Sequence, residues 1–202
     1  LGWQVTPEHP SRFVLDSQNF LEVWHREAGY LLGTGGSKFM PRFSTLRRTD
    51  EGRAYLPDRV GGVRQTTDEA AVTFGFGADD VEVELSVRGG NCRISARLAR
   101  AAVTAPYEAA LILAFQPGET VAMDGERLKL EPTTLVHRNG AGRPVQDLRW
   151  RGLGWKLPPG TVLDYPIVPH NSYTQDGLPA PADYVGRLSF PLSTEAKFVV
   201  IG

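Results

Sequence analysis

Chemically capable side chains are concentrated in the segment 19–45, which has the sequence NFLEVWHREAGYLLGTGGSKFMPRFST. On an extended strand His25 and Glu27 share one face, while Trp24 and Arg26 share the other. A histidine beside a carboxylate can act as an acid/base pair or as two metal ligands, and Trp24 offers a ring for ligand binding. Such a pair also occurs on ordinary half-exposed strands, so both interpretations stay open.

The glycine-rich loop 33–38, with the sequence GTGGSK, does not match a nucleotide-binding motif. A P-loop places Gly-Lys before Ser or Thr at the start of a helix, whereas Lys38 leads into the run 39–41, Phe-Met-Pro. Lys38 also occupies the place of the third glycine of the dinucleotide fingerprint. The glycines therefore indicate a tight turn or bulge, and Lys38 is either solvated or binds an anionic ligand. Arg42 is a further candidate for ligand binding.

A second set of candidates combines aromatic rings with hydrogen-bonding side chains. Sugars are bound by aromatic faces together with planar polar groups, so this composition would suit a carbohydrate. The alternative is ordinary loop and core composition. The set consists of Trp150, Trp155, His170, Asn171, Tyr173 and Asp176.

Other chemistries find little support in the residue spacing. The four histidines are far apart and include no H-x-H or HExxH element, so neither a metal nor another cofactor is predicted. No serine lies in a G-x-S-x-G elbow, which removes the basis for an esterase. Cys92 falls on the apolar face of its predicted strand, so we expect a core residue and not a nucleophile.

The charge balance also excludes some classes of partner. The 22 basic and 23 acidic residues give a formal net charge of −1, which argues against nucleic acid as a partner. The basic pair Arg47 and Arg48 is followed by acidic residues and is predicted to be a solvated loop. No apolar run approaches the ~20 residues that a membrane-spanning helix needs.

At 202 residues, the chain is predicted to be one domain spanning 1–202. A single cysteine allows no internal disulfide, so the core must supply the stability. The chain opens LGWQVTPEHP, without Met or a signal-like region, and we expect a mature or excised segment of a larger protein, such as its C-terminal domain. A periplasmic or secreted location is favoured over a cytoplasmic one, although cysteine usage says little about compartment.

The segment 81–98, VEVELSVRGGNCRISARL, predicts a β-hairpin. Apolar and polar residues alternate on both sides of Gly89 and Gly90, and a Gly-Gly loop suits a primed turn with positive φ. This register places Glu82 opposite Arg97 on the solvent side. It pairs the apolar residues Val87 with Cys92, Leu85 with Ile94, Val83 with Ala96 and Val81 with Leu98.

The rest of the chain shows the same pattern of short apolar runs between turn signals, and helical periodicity is absent from every window. We therefore predict an all-β fold, a large antiparallel β-sandwich of roughly a dozen strands, with a closed barrel as the alternative. Residues 136–150 and 166–184 are predicted as long loops. The further strands are predicted at 12–15, 20–25, 30–33, 62–65, 70–76, 107–115, 120–123, 127–130, 154–157, 161–165, 185–190 and 197–201.

The segment LEVWHREAGYLLGTGGSKFMPRFST resembles β-rich regions of bacterial heparinase II/III-type proteins. Those proteins join a helical toroid to an antiparallel β-sandwich and act on acidic polysaccharides by β-elimination. The resemblance covers about 25 residues, and the H-x-H-x-D element of the true lyases has no counterpart here. It therefore implies an accessory β-domain or a non-lyase relative, with an acidic oligosaccharide or polysaccharide and a helical domain as partners.

These expectations favour a carbohydrate-associated accessory module that is not catalytic alone. The main alternative is a sugar-active enzyme, mutarotase-like or lyase-like, in which His25 and Glu27 perform acid/base chemistry. Such an enzyme requires both side chains to open into a concave pocket. A structural or oligomerisation domain is the third possibility, and it predicts an apolar patch on one sheet.

Overall fold

The computed structural model describes twelve ranges of the chain, with most side chains described from residue 57 onward. These ranges are 2–5, 21–25, 29–33, 42–43, 47–50, 53–55, 57–66, 68–102, 106–115, 118–128, 142–164 and 184–202. Within them the chain forms strands, turns and irregular segments. None of these residues belongs to a helix long and apolar enough to cross a membrane.

The described residues form nineteen strands. They are β1 (Gly2–Val5), β2 (Leu21–His25), β3 (Gly29–Gly33), β4 (Arg42–Phe43), β5 (Arg47–Asp50), β6 (Arg53–Tyr55), β7 (Arg59–Gln65), β8 (Glu69–Phe76), β9 (Asp79–Arg88), β10 (Asn91–Arg100), β11 (Tyr107–Phe115), β12 (Val121–Met123), β13 (Glu126–Arg127), β14 (Arg143–Pro144), β15 (Asp147–Trp150), β16 (Leu153–Lys156), β17 (Val162–Asp164), β18 (Tyr184–Leu192) and β19 (Lys197–Ile201).

The strands pair antiparallel into two large sheets and one small one. The larger sheet has nine strands in the order β13-β12-β15-β16-β19-β10-β9-β8-β7. The second has seven strands in the order β14-β17-β18-β11-β5-β6, with β4 paired to β11 beside β5. The third consists of β1, β2 and β3. The predicted all-β antiparallel sandwich is confirmed.

The predicted hairpin 81–98 is confirmed residue by residue. β9 and β10 pair with Val87 opposite Cys92, Leu85 opposite Ile94, Val83 opposite Ala96, Val81 opposite Leu98 and Glu82 opposite Arg97. Gly89 and Gly90 have φ of 58° and 83°, as a primed two-residue turn requires. The alternation of apolar and polar residues therefore set the register of this pair of strands.

The core lies between the two large sheets. Its buried residues come from alternate positions of both sheets, for example from β9 and β10 on one side and β11 and β18 on the other. The ring of Tyr107 meets Phe76 edge-on at 5.3 Å between centroids, and Phe115 meets Trp150 at 5.4 Å. Both contacts are between the sheets, so aromatic pairs join the two layers at both ends of β11.

These two contacts also show how β11 is oriented relative to the strands of the larger sheet. Phe76 and Trp150 lie on strands β8 and β15, which are five positions apart in the nine-stranded sheet, or about 24 Å at the usual strand spacing. The two ends of β11, whose nine residues span about 27 Å, reach these two strands. β11 therefore runs across the strands of the larger sheet and not along them, as in orthogonal sandwiches.

Two segments predicted as loops are strands. Arg47 and Arg48 lie in β5 and pair with β11, so the prediction of a solvated loop there is wrong. The predicted loop 136–150 contains β14 and β15, because Leu148 and Trp150 alternate with Asp147 and Arg149 and are buried. The predicted strand 12–15 and most of the predicted loop 166–184 lie outside the described residues.

Candidate functional site

Most of the site residues predicted from the sequence lie outside the described part of the chain. Glu27, Lys38, His170, Asn171 and Tyr173 fall there, together with Arg26 and Asp176. The acid/base pair of His25 with Glu27 and the anion site at Lys38 therefore stay predictions.

Three further candidates are described in their backbone only. Trp24 and His25 lie in β2, where Trp24 is opposite Tyr30 of β3, and the register shifts between Val23 and Trp24. Arg42 lies in β4, opposite Ile112 of β11. β2 belongs to the small sheet and β4 to the seven-stranded one, so strand pairing does not bring Trp24 and Arg42 together.

Trp150 and Trp155 are core residues, each with 1% of its surface exposed. Their rings pack 5.7 Å apart, and the Trp150 Nε1–H donates to Glu119 Oε2 at 2.8 Å. Arg151 donates to the other oxygen of Glu119 and lies over the Trp150 ring at 4.5 Å. Trp150 therefore has a packing role, and its ring offers no open face on which a sugar could stack.

The outer face of the nine-stranded sheet is the face turned away from the core. On it lies a site whose residues were not among the candidates predicted from the sequence. Since side chains alternate along each strand, the residues between the core positions point to this face. On β19 the core positions are Val199 and Ile201, which leaves Phe198 and Val200 on the outer face. The strand 197–201 was predicted, and its alternation was the signal that could have found Phe198.

Phe198 is 37% exposed and is the one large apolar side chain exposed among those described. The Arg93 guanidinium lies over its ring, 3.6 Å from the centroid. Both residues line a groove of about 440 Å³ across β8, β9, β10 and β19, which we call the Phe198 groove. Its other lining residues are Glu69, Glu82, Glu84, Ser86, Arg88, Asn91, Ser95, Arg97, Ala196 and Val200.

Several charged side chains in and beside the Phe198 groove form ion pairs with each other. Glu82 accepts hydrogen bonds from Arg64 at 2.7 Å and from Arg97 at 2.5 Å, and Arg88 pairs with Glu69. Burial alone would raise the pKa of Glu82, but the hydrogen bonds and charges of the two arginines outweigh it and lower this pKa below 4.5. Glu82 therefore stays ionised at neutral pH.

Other polar side chains of the groove form no such bonds with the described residues. Within the part of the chain that is described, Glu84, Ser86, Asn91 and Ser95 have no side-chain hydrogen bond or ion pair, and Arg93 has no carboxylate partner. Glu84 lies directly opposite Ser95, and Ser86 directly opposite Arg93. The groove thus combines an aromatic ring with donors and acceptors that can bond to a ligand without breaking bonds within the protein.

A second groove of about 660 Å³ lies on the outer face over β12, β15 and β16, and we call it the Arg149 groove. Arg149 lies between two small residues, opposite Ala122 on one side and Gly154 on the other. Lys156, which also lines the groove, forms an ion pair with Asp147. Arg149 is exposed and has no carboxylate partner among the described residues.

Metal ligation and thiol chemistry find no support among the described residues. They contain no group of three His, Cys, Asp or Glu side chains placed to hold a metal ion. The prediction that Cys92 is a core residue is confirmed, since it is fully buried and desolvation raises the pKa of its thiol to about 12. What the two grooves can supply is an aromatic contact, hydrogen bonds, the positive charges of Arg93 and Arg149 and the negative charge of Glu84.

No protein-family model matches this chain, and no curated protein matches it either. The resemblance of its N-terminal segment to heparinase II/III-type proteins therefore stays a prediction. The class of protein that can be stated is a two-layer, all-β antiparallel sandwich with two grooves on the outer face of its larger sheet.

Proposed function

We propose that this chain is an accessory carbohydrate-binding module, not catalytic on its own, which binds sugars in the Phe198 groove. The observation that carries the proposal is the exposed Phe198 ring, which shares its groove with four polar side chains that have no hydrogen-bond partner in the described structure. Aromatic rings contact the apolar faces of sugars, while carboxylate, amide and hydroxyl groups bond to their hydroxyls.

Within the described ranges, Arg93 and Glu84 are the unpaired charges of the Phe198 groove, and Arg93 is the one that lies over the Phe198 ring. Its guanidinium has no carboxylate partner among the described residues and lies at the ring where a sugar would bind. A carboxylate or sulfate group on the sugar would form a charge-assisted hydrogen bond with it. We therefore favour an acidic oligosaccharide or polysaccharide, and a helical catalytic domain of the polysaccharide-lyase type remains a proposed partner.

Calorimetric titration with neutral and acidic oligosaccharides at millimolar concentration tests this function. We expect Phe198→Ala to weaken binding at least tenfold, because the ring contributes most of the apolar contact and a tenfold change is about 1.4 kcal/mol. Thr194→Ala, in the exposed turn between β18 and β19, is the control and should bind like the wild type. Circular dichroism and thermal melting would establish that both variants are folded.

Arg93→Ala separates the two parts of the proposal. It removes the positive charge and uncovers the Phe198 ring, so acidic oligosaccharides should lose affinity while neutral ones keep or gain it. The proposal would be overturned if no sugar binds, or if Phe198→Ala binds as tightly as the wild type.

A further inference from the structure

We infer that the Phe198 groove and the Arg149 groove are two subsites of one binding track, which holds a linear acidic polysaccharide laid across the strands. This inference rests on the proposed function and adds the length and direction of the ligand. It also assigns a binding role to Arg149 and to the surface over β12, β15 and β16.

The two grooves meet on one face. A row of directly opposite residues crosses five neighbouring strands on the outer face: Ser86, Arg93, Val200, Lys156 and Asp147. Val200 lines the Phe198 groove and Lys156 lines the Arg149 groove, and the two residues face each other across β19 and β16. No strand separates the grooves.

The track is longer than a short oligosaccharide. From β9 to β12 there are five steps between neighbouring strands, or about 24 Å at the usual strand spacing. Three of these steps, about 14 Å, separate β10, which carries Arg93, from β15, which carries Arg149. A disaccharide in contact with Arg93 would not reach Arg149, whereas a longer chain could reach both.

The two grooves are lined by five basic and five acidic side chains, so their formal charges balance, and an anionic chain would be held by the arginines that have no carboxylate partner in the described structure. Five arginine and lysine side chains line the grooves, and three of them, Arg88, Arg97 and Lys156, are each paired with a carboxylate. Arg93 and Arg149 have no carboxylate partner among the described residues, and each lies in a different groove. Acidic groups repeated along a polymer could reach both, whereas a single acidic group could reach only one.

Small residues make room for the chain at the second subsite. Ala122 and Gly154 flank Arg149 on the neighbouring strands, so no bulky side chain crosses the groove floor there. The guanidinium of Arg149 can therefore approach a ligand that lies flat on the sheet. A side chain with this freedom is also available for a planar, bidentate bond to a carboxylate.

The test is a length series of oligogalacturonates from disaccharide to octasaccharide, with cello-oligosaccharides of the same lengths as the neutral series, titrated calorimetrically into the whole chain. We expect the wild type to bind the acidic octasaccharide at least tenfold more tightly than the disaccharide. Arg149→Gln should abolish this gain and leave disaccharide affinity unchanged. Phe198→Ala should weaken binding at every length.

The matched control is Arg100→Gln, which removes the same charge from an exposed arginine at the end of β10 that lines neither groove. It should keep the length dependence of the wild type. If Arg149→Gln retains the gain while Phe198→Ala still weakens binding, the Phe198 groove acts alone and the inference of a track is overturned. If Phe198→Ala has no effect, the proposed function itself fails. Competition by polyglutamate as strong as that by the octasaccharide would overturn the saccharide as occupant.

Discussion

The inner and outer faces of the nine-stranded sheet are made by the same strands, yet they differ in almost every property. Along β9 and β10 the inward positions hold Val, Leu, Ile, Ala and Cys side chains that are nearly all fully buried. The outward positions hold Glu, Arg and Ser in a network of ion pairs. One face is thus fixed by packing, while the other can carry a ligand.

The comparison separates residues that hold the fold from residues that are free for binding. A substitution on the inner face changes the volume of a close-packed layer, and the free energy of unfolding should change with it. A substitution on the outer face removes contacts that solvent already weakens. Along one strand, substitutions that lower stability should therefore alternate with substitutions that weaken binding.

The largest effect is expected for Leu85→Ala. Leu85 is 2% exposed and lies between Ala70 and Ile94 on the neighbouring strands. The cavity should lower the free energy of unfolding by about 2–5 kcal/mol, measured by urea denaturation. Its control is the adjacent outer residue, Glu84→Ala, which should change stability by no more than about 0.5 kcal/mol. Equal losses for the two variants would contradict the assignment of the faces.

A smaller difference is expected between the two core tryptophans. Trp150→Phe leaves a cavity and also loses the hydrogen bond from Nε1 to the Glu119 carboxylate. Trp155→Phe leaves a similar cavity, but its buried Nε1–H has no acceptor in the described structure, so no hydrogen bond is lost. We expect Trp150→Phe to be about 1–2 kcal/mol less stable than Trp155→Phe. Equal midpoints in urea would show that the Glu119 bond contributes nothing.

The inner face could be predicted from the sequence because burial imposes a strict pattern. The alternation in 81–98 allowed only one register without charges in the core, and that register is the observed one. β11 and β19 were likewise predicted with their observed bounds. Where the pattern was interrupted by glycines and charges, as in β14 and β15, the strands were missed.

The outer face could not be predicted in the same way. Ion pairs and grooves depend on which strands become neighbours, and the order β15-β16-β19-β10 joins segments far apart in the chain. Local sequence contains no information about that order, so Arg149 and Phe198 were not connected. Trp150, the aromatic residue predicted to bind a ligand, is buried against the second sheet, whereas Phe198 is exposed.

The pH dependence of stability tests whether ionised Glu82 on the outer face stabilises the fold. Because the pKa of Glu82 is lower in the folded protein than its usual value, ionised Glu82 stabilises the fold above about pH 4.5, and this stabilisation is lost as the pH falls through the folded pKa. Glu82→Gln should cost about 0.5–1 kcal/mol at pH 7. The gap between variant and wild type, measured by urea denaturation, should close in acid. A gap that persists at low pH would mean that the effect is not electrostatic.

The smallest effect is expected for the pair of Arg88 and Glu69, which are 78% and 40% exposed at the rim of the Phe198 groove. Solvent and salt screen such a pair, so Arg88→Gln should change stability by less than about 0.5 kcal/mol. A double-mutant cycle with Glu69→Gln, run at low and high salt, would isolate the interaction of the two charges. If the coupling were large and independent of salt, the outer face would also be held by its own contacts. A small coupling that salt removes would leave the inner face as the source of stability and the outer face free for a ligand.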